Sequence, residues 1–439
     1  MRRVSFITLG CKVNQYDSQA MEKAFTQRGY AVVPAGEAAD AVIVNTCTVT
    51  AEADRKSRQM IRRAVKANPG AVVAAAGCFV QGDPESAKAI EGVDIIAGSN
   101  DRIALVEAVV RALDGSGAEP GCYWLVKDIS SFGAYEEAKA EGADGMSRAY
   151  LKIEDCCDAY CSYCLVPYVR GHVRSRDPGS VEEEASRLAD AGYLEVVLTG
   201  IHLGCYGKDL EGVTLADAIK AAARPSGIKR VRLSSLEPTE LTDEIIGLFA
   251  SEPKLARHLH LPLQSGDDFV LRLMNRHYDA KGYEAAVEKA RAAIGRFGLT
   301  TDVIAGFPGE TERMFENTLS LVRRLGFLKV HAFPYSRRKG TPAAGLPGQV
   351  PEKIKHDRVA MLIEASKAGA CEFTRGMSGS ICRVIVEGAA PSEGGFECEG
   401  YTGEYVRVLF HADRKPEGCV EVAIMSGDSE GARGVLIDR

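Results

Sequence analysis

The sequence contains no apolar run long enough to cross a bilayer, which excludes a helical membrane span. Its short apolar start, Val4 to Leu9 behind two arginines, lacks the small-residue cleavage site of a secretory leader. That stretch reads as a first strand, and a cytoplasmic protein is expected. Net positive charge is also missing: the formal charge is -6. Non-specific coating of nucleic acid depends on neutralising phosphates, so such a role is disfavoured, although a local basic surface stays open.

What is present describes an ordinary globular chain, with 46% hydrophobic and 26% charged residues. Its 439 residues exceed one hydrophobic core, so two or three domains are expected. Thirteen cysteines would suit a disulfide framework only in a small secreted chain. In a large chain without a leader, metal or cluster ligation is the better account of some of them.

The chemistry concentrates in one loop, Cys157-Asp-Ala-Tyr-Cys161-Ser-Tyr-Cys164. Three thiols at this spacing can converge on one iron-sulfur cluster and leave a fourth iron open to an outside ligand, as a catalytic zinc keeps an open position. A zinc site, or a redox dithiol of Cys161 and Cys164 alone, is the competing reading. Cys156 stands beside Cys157 as a rival ligand, which the three-residue spacing disfavours.

Residues 1–128 alternate apolar strands (4–9, 41–44, 71–76, 93–96) with helical patterns, predicting a small doubly wound α/β domain on a parallel sheet. Leu9-Gly-Cys11, Val44-Asn-Thr-Cys47 and Ala76-Gly-Cys78 each put a cysteine just past a strand end. Ligands of such sheets bind beyond the carboxyl ends of the strands, so the three should meet at one edge and hold a second cluster. The other cysteines, Cys122, Cys156, Cys205, Cys371, Cys382, Cys398 and Cys419, read as small buried hydrophobes. The helix 51–67 carries six basic residues against two acidic ones, a solvated face or a phosphate contact. Residues 129–147 read as a linker.

In residues 148–370, six strands (149–153, 195–198, 230–233, 258–261, 300–305, 329–333) alternate with helices and suggest an incomplete barrel. Barrel sites sit at the carboxyl ends of the strands. Those ends hold the cysteine loop, Thr199-Gly200, Ser234-Ser235-Leu236-Glu237, Gln264-Ser265-Gly266, Gly306-Phe-Pro308-Gly309 and Tyr335-Ser336. Residues 374–439 switch to short alternating strands with glycine-rich turns, a small β-barrel, and carry 7 basic against 11 acidic residues.

The cysteine loop and the run Leu151 to Arg176 resemble the radical S-adenosylmethionine (SAM) methylthiotransferases. Cys156 stands where that family usually has glycine. Leu9-Gly-Cys-Lys-Val-Asn-Gln-Tyr-Asp-Ser18 and Asn45-Thr-Cys-Thr-Val-Thr50 resemble the family's amino-terminal domain, and look most like the branch that modifies threonylcarbamoyl-adenosine in tRNA. The resemblance implies a partial (β/α)6 barrel, a carboxyl-terminal TRAM-like RNA-binding barrel, and two 4Fe-4S clusters, one on Cys157, Cys161 and Cys164 and an auxiliary one on Cys11, Cys47 and Cys78. It implies SAM on the open iron, with Tyr163 against its adenine and Glu237, Gln264, Gly306, Pro308 and Gly309 near its sugar or methionine part, alongside Thr199, Gly200 and Ser235.

The implied reaction places a methylthio group on carbon 2 of N6-threonylcarbamoyladenosine beside the anticodon. One SAM methylates sulfur at the auxiliary cluster, and another yields a deoxyadenosyl radical that takes the hydrogen. Isopentenyladenosine or an aspartate of a ribosomal protein is the alternative target, and a non-catalytic cluster-bearing RNA-binding module the alternative of another class. Arg170, His172, Arg174 and Arg176, then Arg337, Arg338 and Lys339, follow strand ends on the cofactor face and are expected to grip the anticodon loop of tRNA. An electron donor such as flavodoxin or ferredoxin, a sulfur source and a monomeric state complete the expectation.

Overall fold

A computed structural model describes residues 1–115, 122–138, 140 and 147–437. The amino-terminal unit is a six-stranded sheet of β1 (Arg3–Thr8), β2 (Ala31–Val33), β3 (Ala41–Thr46), β4 (Val72–Gly77), β5 (Ile95–Ala97) and β6 (Tyr123–Leu125). Their spatial order is β2-β1-β3-β4-β5-β6 and every pairing is parallel. β3 is buried at all of its positions, as a central strand covered on both faces must be. Two apolar clusters result, one around Phe25 and Val106 and one around Ile61 and Phe79. The chain reverses direction across the sheet between β1 and β3, the place where such folds bind ligands.

β2 and β6 had no counterpart in the sequence reading. Both are three-residue edge strands with no fully buried position, so their apolar runs, Ala-Val-Val and Tyr-Trp-Leu, are too short to stand out as strands.

The central unit follows the expected strands closely: β7 (Arg148–Lys152), β8 (Glu195–Thr199), β9 (Arg230–Leu233), β10 (His258–His260), β11 (Gly298–Ala305) and β12 (Lys329–Pro334). They form two parallel three-stranded sheets, β9-β8-β7 and β10-β11-β12. A parallel bridge between Ser235 and His260 joins the two halves. The long helix Glu352–Arg375 then leads to the carboxyl-terminal unit, β13 (Ile381–Ser392), β14 (Gly395–Tyr401), β15 (Arg407–Ala412), β16 (Cys419–Asp428) and β17 (Gly431–Leu436), a closed five-stranded barrel around Val384, Val408, Phe410 and Ile424.

Buried charges fasten the units together. Arg230 and Arg232 pair with Glu195 and donate to the carbonyls of Thr402 and its neighbours, Tyr401 and Gly403. They join the amino-end side of the central barrel to the small one. At the other junction Asp17 and Asp155 are shared among Arg102, Lys152 and Arg170. Part of the expected linker belongs to this junction, since Glu136 pairs with Arg102 and Glu137 with Arg176; residues 139 and 141–146 of it lie outside the described residues. Among the described residues no helix is long and apolar enough to cross a membrane.

Candidate active site

A cavity of about 970 Å³ opens between the amino-terminal sheet and the carboxyl ends of the central strands, and its wall includes Cys11, Cys47, Cys78, Cys157, Cys161 and Cys164. The first three arrive from β1, β3 and β4, one past each strand end. Two glycines permit this. Gly10 has φ +100°, and a Cβ there would stand 2.7 Å from Cys47 Sγ; Gly77 has φ +95°, and a Cβ there would meet the Thr46 carbonyl at 2.7 Å. Only glycine suits both the backbone and the approach.

Two asparagines lock the strand ends. Asn14 Nδ2 donates to the carbonyls of Leu9 and Thr46 at 2.8 and 2.9 Å, and Asn45 Nδ2 donates to the Asn14 carbonyl at 3.0 Å. Burial pushes the Cys47 thiol up to about 11. A thiolate there therefore calls for a cation beside it.

The second triplet comes from a single loop. Ala159 N–H donates to Cys157 Sγ and Val166 N–H to Cys164 Sγ, each at 3.4 Å, and Arg276 donates to Cys161 Sγ at 3.3 Å. Burial raises Cys164 to about 12. Donors aimed at sulfur are what a cluster-bound thiolate accepts. Zinc–sulfur bonds of about 2.3 Å would draw the ligands to within about 4 Å of each other. Among the described residues the one group whose ligand atoms all lie within 4.8 Å is His202, Cys205 and Glu240, so neither cysteine triplet is gathered as tightly as a single ion demands.

Cys156 is settled by its backbone. Its φ is +91°, the left-handed region that favours glycine, and its Sγ points to the Arg170 carbonyl at 2.7 Å. It is fully buried and absent from the cavity wall, so it does not compete with Cys157.

Of the other expected cofactor contacts, Tyr163, Thr199, Gly200, Ser235, Glu237 and Gln264 line the cavity. Gln264 is held at φ +61°, strain of the kind that gathers at functional sites. Glu237 is ion-paired to Arg276, so it reaches Cys161 through that guanidinium. Gly306, Pro308 and Gly309 are not in the cavity wall. Gly306 N–H donates to Glu310 and Gly309 N–H to the Gly348 carbonyl, while Phe307 packs edge-on against Tyr163 with centroids 6.4 Å apart. This turn supports the ring of Tyr163 from beneath.

His202 was not foreseen. Its Nδ1 lies 3.5 Å from Cys157 Sγ and 3.1 Å from Cys205 Sγ, and its Nε2 lies 2.7 Å from Glu240. Cys205 is buried as expected but is a polar partner, whereas Cys122 and Cys371 are only half-buried and Cys419 is exposed. The sequence signal was the Gly200-Ile-His202 run directly beyond a strand end.

Residues 3–98 match the model of Uncharacterized protein family UPF0004, and residues 152–322 match the Radical SAM superfamily. The chain is 40% identical over 412 residues to Threonylcarbamoyladenosine tRNA methylthiotransferase MtaB of Bacillus subtilis, covering 93% of this chain and 90% of that one. The chain belongs to the radical SAM methylthiotransferase family. This methylthiotransferase is also 34% identical over 439 residues to tRNA-2-methylthio-N(6)-dimethylallyladenosine synthase of Carboxydothermus hydrogenoformans, covering 98% of both chains. Its fold is similar to the radical SAM methyltransferase TsrM from Kitasatospora setae, with a TM-score of 0.57 at 15% identity, covering 78% of this chain and 74% of that one. Membership makes it a SAM-dependent enzyme with an iron-sulfur cofactor.

The basic groups of the methylthiotransferase fall into two sets, and the expectation that all of them grip RNA needs correction. Arg170, Arg174 and Arg176 are buried. Arg170 donates to Asp155, to Asn14 Oδ1 and, at 3.3 Å, to Cys78 Sγ; Arg176 pairs with Glu184; Arg174 donates to Asn100. Arg338 is buried as well, paired with Asp54 and bonded to Thr48. Burial of a charge demands a partner, and these four spend theirs inside the protein. Arg337 and Lys339 are exposed. They stand on a loop whose Ser336 accepts from Ala51 N–H, beside the helix Ala51–Ala67 with its exposed Arg55, Lys56, Arg62, Arg63 and Lys66. His172 is exposed and pairs with Asp158.

Proposed function

We propose that this enzyme transfers a methylthio group to carbon 2 of N6-threonylcarbamoyladenosine in tRNA. The observation that carries the reading is the six cysteines of two domains on one cavity wall. The sulfur-carrying and radical-forming centres then share one chamber, and the base can reach both without leaving it. Donors on the sulfurs, together with the meeting of both triplets at one cavity, support two 4Fe-4S clusters, on Cys11, Cys47 and Cys78 and on Cys157, Cys161 and Cys164. When bound, these groups and SAM supply an electron, a radical and a methyl group, chemistry that acid-base catalysis cannot offer at an aromatic C–H.

The chain's own residues hold and orient. Tyr163, Thr199, Gly200, Ser235 and Gln264 form the SAM side of the chamber; Arg276 links Glu237 to Cys161, and Arg170 links Asn14 and Asp155 to Cys78. Arg337, Lys339 and the exposed face of Ala51–Ala67 offer phosphate contacts at the cavity's edge, replacing the four buried arginines in that role.

The choice of threonylcarbamoyladenosine over dimethylallyladenosine follows the relatives of higher identity. Mass spectrometry of tRNA nucleosides from a deletion strain tests it. Loss of the methylthio form of threonylcarbamoyladenosine alone is the expected result; loss of the dimethylallyl derivative overturns the substrate. An anaerobically reconstituted chain that binds zinc and cleaves no SAM overturns the enzymatic reading.

A further inference from the structure

Below the cysteines the cavity continues into the lumen of the central barrel, past Arg232, His258, His260, Thr300, Asp302 and His331. Most charges here are matched. Arg232 pairs with Glu195 at 2.7 Å and lies 4.4 Å from the Tyr405 ring centre. His260 Nε2 lies 3.3 Å from Asp302 and its Nδ1 2.9 Å from Thr300. Arg276 pairs with Glu237 and Arg407 with Glu399.

Lys12 breaks the pattern. It follows Cys11 directly, lines the same cavity, and carries no hydrogen bond or ion pair among the described residues; its Nζ sits 6.0 Å over the Tyr150 ring. The nearby carboxylates, Asp302 and Glu195, are engaged by His260 and by Arg230 and Arg232. Lys329 is likewise unpaired among the described residues and lines the same cavity, but it begins β12 and so starts from the end of the barrel away from the cysteines, whereas Lys12 follows Cys11 directly.

We infer that Lys12 is the specificity residue for the substituent on the substrate base, pairing with a carboxylate carried on N6 of the adenine and disfavouring a neutral alkyl group there. The inference rests on the reading of the preceding subsection. An ammonium in a walled chamber gains from an arriving carboxylate and loses its water to an apolar group without compensation. The threonyl part of threonylcarbamoyladenosine has such a carboxylate, and a dimethylallyl group has none. Position supports this: a residue adjacent to Cys11 places the substituent beside the sulfur-carrying side, so that the base edge faces the cluster while the substituent enters the lumen.

The test uses the reconstituted full chain and three anticodon stem-loop RNAs, bearing N6-threonylcarbamoyladenosine, its methyl ester, or N6-dimethylallyladenosine as the neutral comparison. The native chain should bind the carboxylate RNA at least about tenfold more tightly than the ester. K12M and a second neutral variant, K12Q, should bind the two equally, while K12R keeps the preference. Iron content and thermal melting report that the variants fold. Neutral variants that keep the carboxylate preference overturn Lys12 and leave the function standing. A native chain that favours the dimethylallyl RNA overturns both.

Discussion

The two cysteine triplets reach the same cavity by opposite routes. Cys157, Cys161 and Cys164 lie in one loop after β7, so local spacing alone brings them together. Cys11, Cys47 and Cys78 come from three strands, and only the register of a parallel sheet, with Asn45 opposite Ala76 and Thr46 opposite Gly77, sets them side by side. The loop triplet depends on few residues. The sheet triplet depends on everything that keeps the strand ends level: Gly10, Gly77, Asn14, Asn45 and, from the other domain, Arg170.

Arg170 is where the routes meet. It ends the short helix Val166–Arg170 that follows the cysteine loop, and its guanidinium touches Cys78 Sγ, Asn14 and Asp155. A shift of one triplet therefore moves a donor on the other.

The sharpest way to break the comparison is to remove one sulfur from each side. C161A and C47A should each lower iron from about eight to about four per chain. Only C161A should abolish reductive cleavage of SAM to 5′-deoxyadenosine, whereas both should abolish the methylthio product. Equal loss of cleavage in C47A would show that the triplets do not act separately.

Next comes the shared arginine. R170Q leaves Asp155 and Asp17 short of a buried cation and should destabilise the junction by about 3–5 kcal/mol, read by denaturant unfolding. R337A, on the exposed loop, should stay within about 0.5 kcal/mol and instead lower the salt slope of tRNA binding by about one. An R337A slope equal to that of the native chain would remove this loop from the RNA surface.

The smallest effect belongs to C156G. It restores the residue type that φ +91° favours, so iron content and SAM cleavage should be unchanged. A loss of about four irons would make Cys156 a ligand after all.

Much of this was legible in the chain. Period-two and period-3.6 patterns located the six central strands to within a residue or two at most ends, because strand-like apolar positions alternate regularly with helical stretches even where charged residues interrupt them, as in Arg230–Leu233 and Lys329–Pro334. Ligand spacing singled out Cys157, Cys161 and Cys164, and placement just past strand ends singled out Cys11, Cys47 and Cys78. Charge was the misleading signal: Arg170, Arg174, Arg176 and Arg338 read as an RNA surface because a sequence shows a cation without its partner. Asn14, Asn100 and Asp54 arrive from the amino-terminal unit, while Asp155 and Glu184 lie nearer in sequence but are brought into reach only by the fold. Gly306 and Gly309 mislead in the same way, since a glycine-rich strand end looks like a ligand cradle while its contacts run to Glu310 and Gly348.

By itself the sequence determined the element types, the domain order and which sulfurs were available, since periodicity and ligand spacing are local properties. Tertiary structure alone decided that both triplets open into one chamber, which arginines are spent on buried carboxylates, and that Lys12 has no hydrogen-bond or ion-pair partner among the described residues. Those outcomes depend on which distant side chains arrive within hydrogen-bond reach, and hydrogen bonds and ion pairs act over a few ångströms of space whatever the separation along the chain.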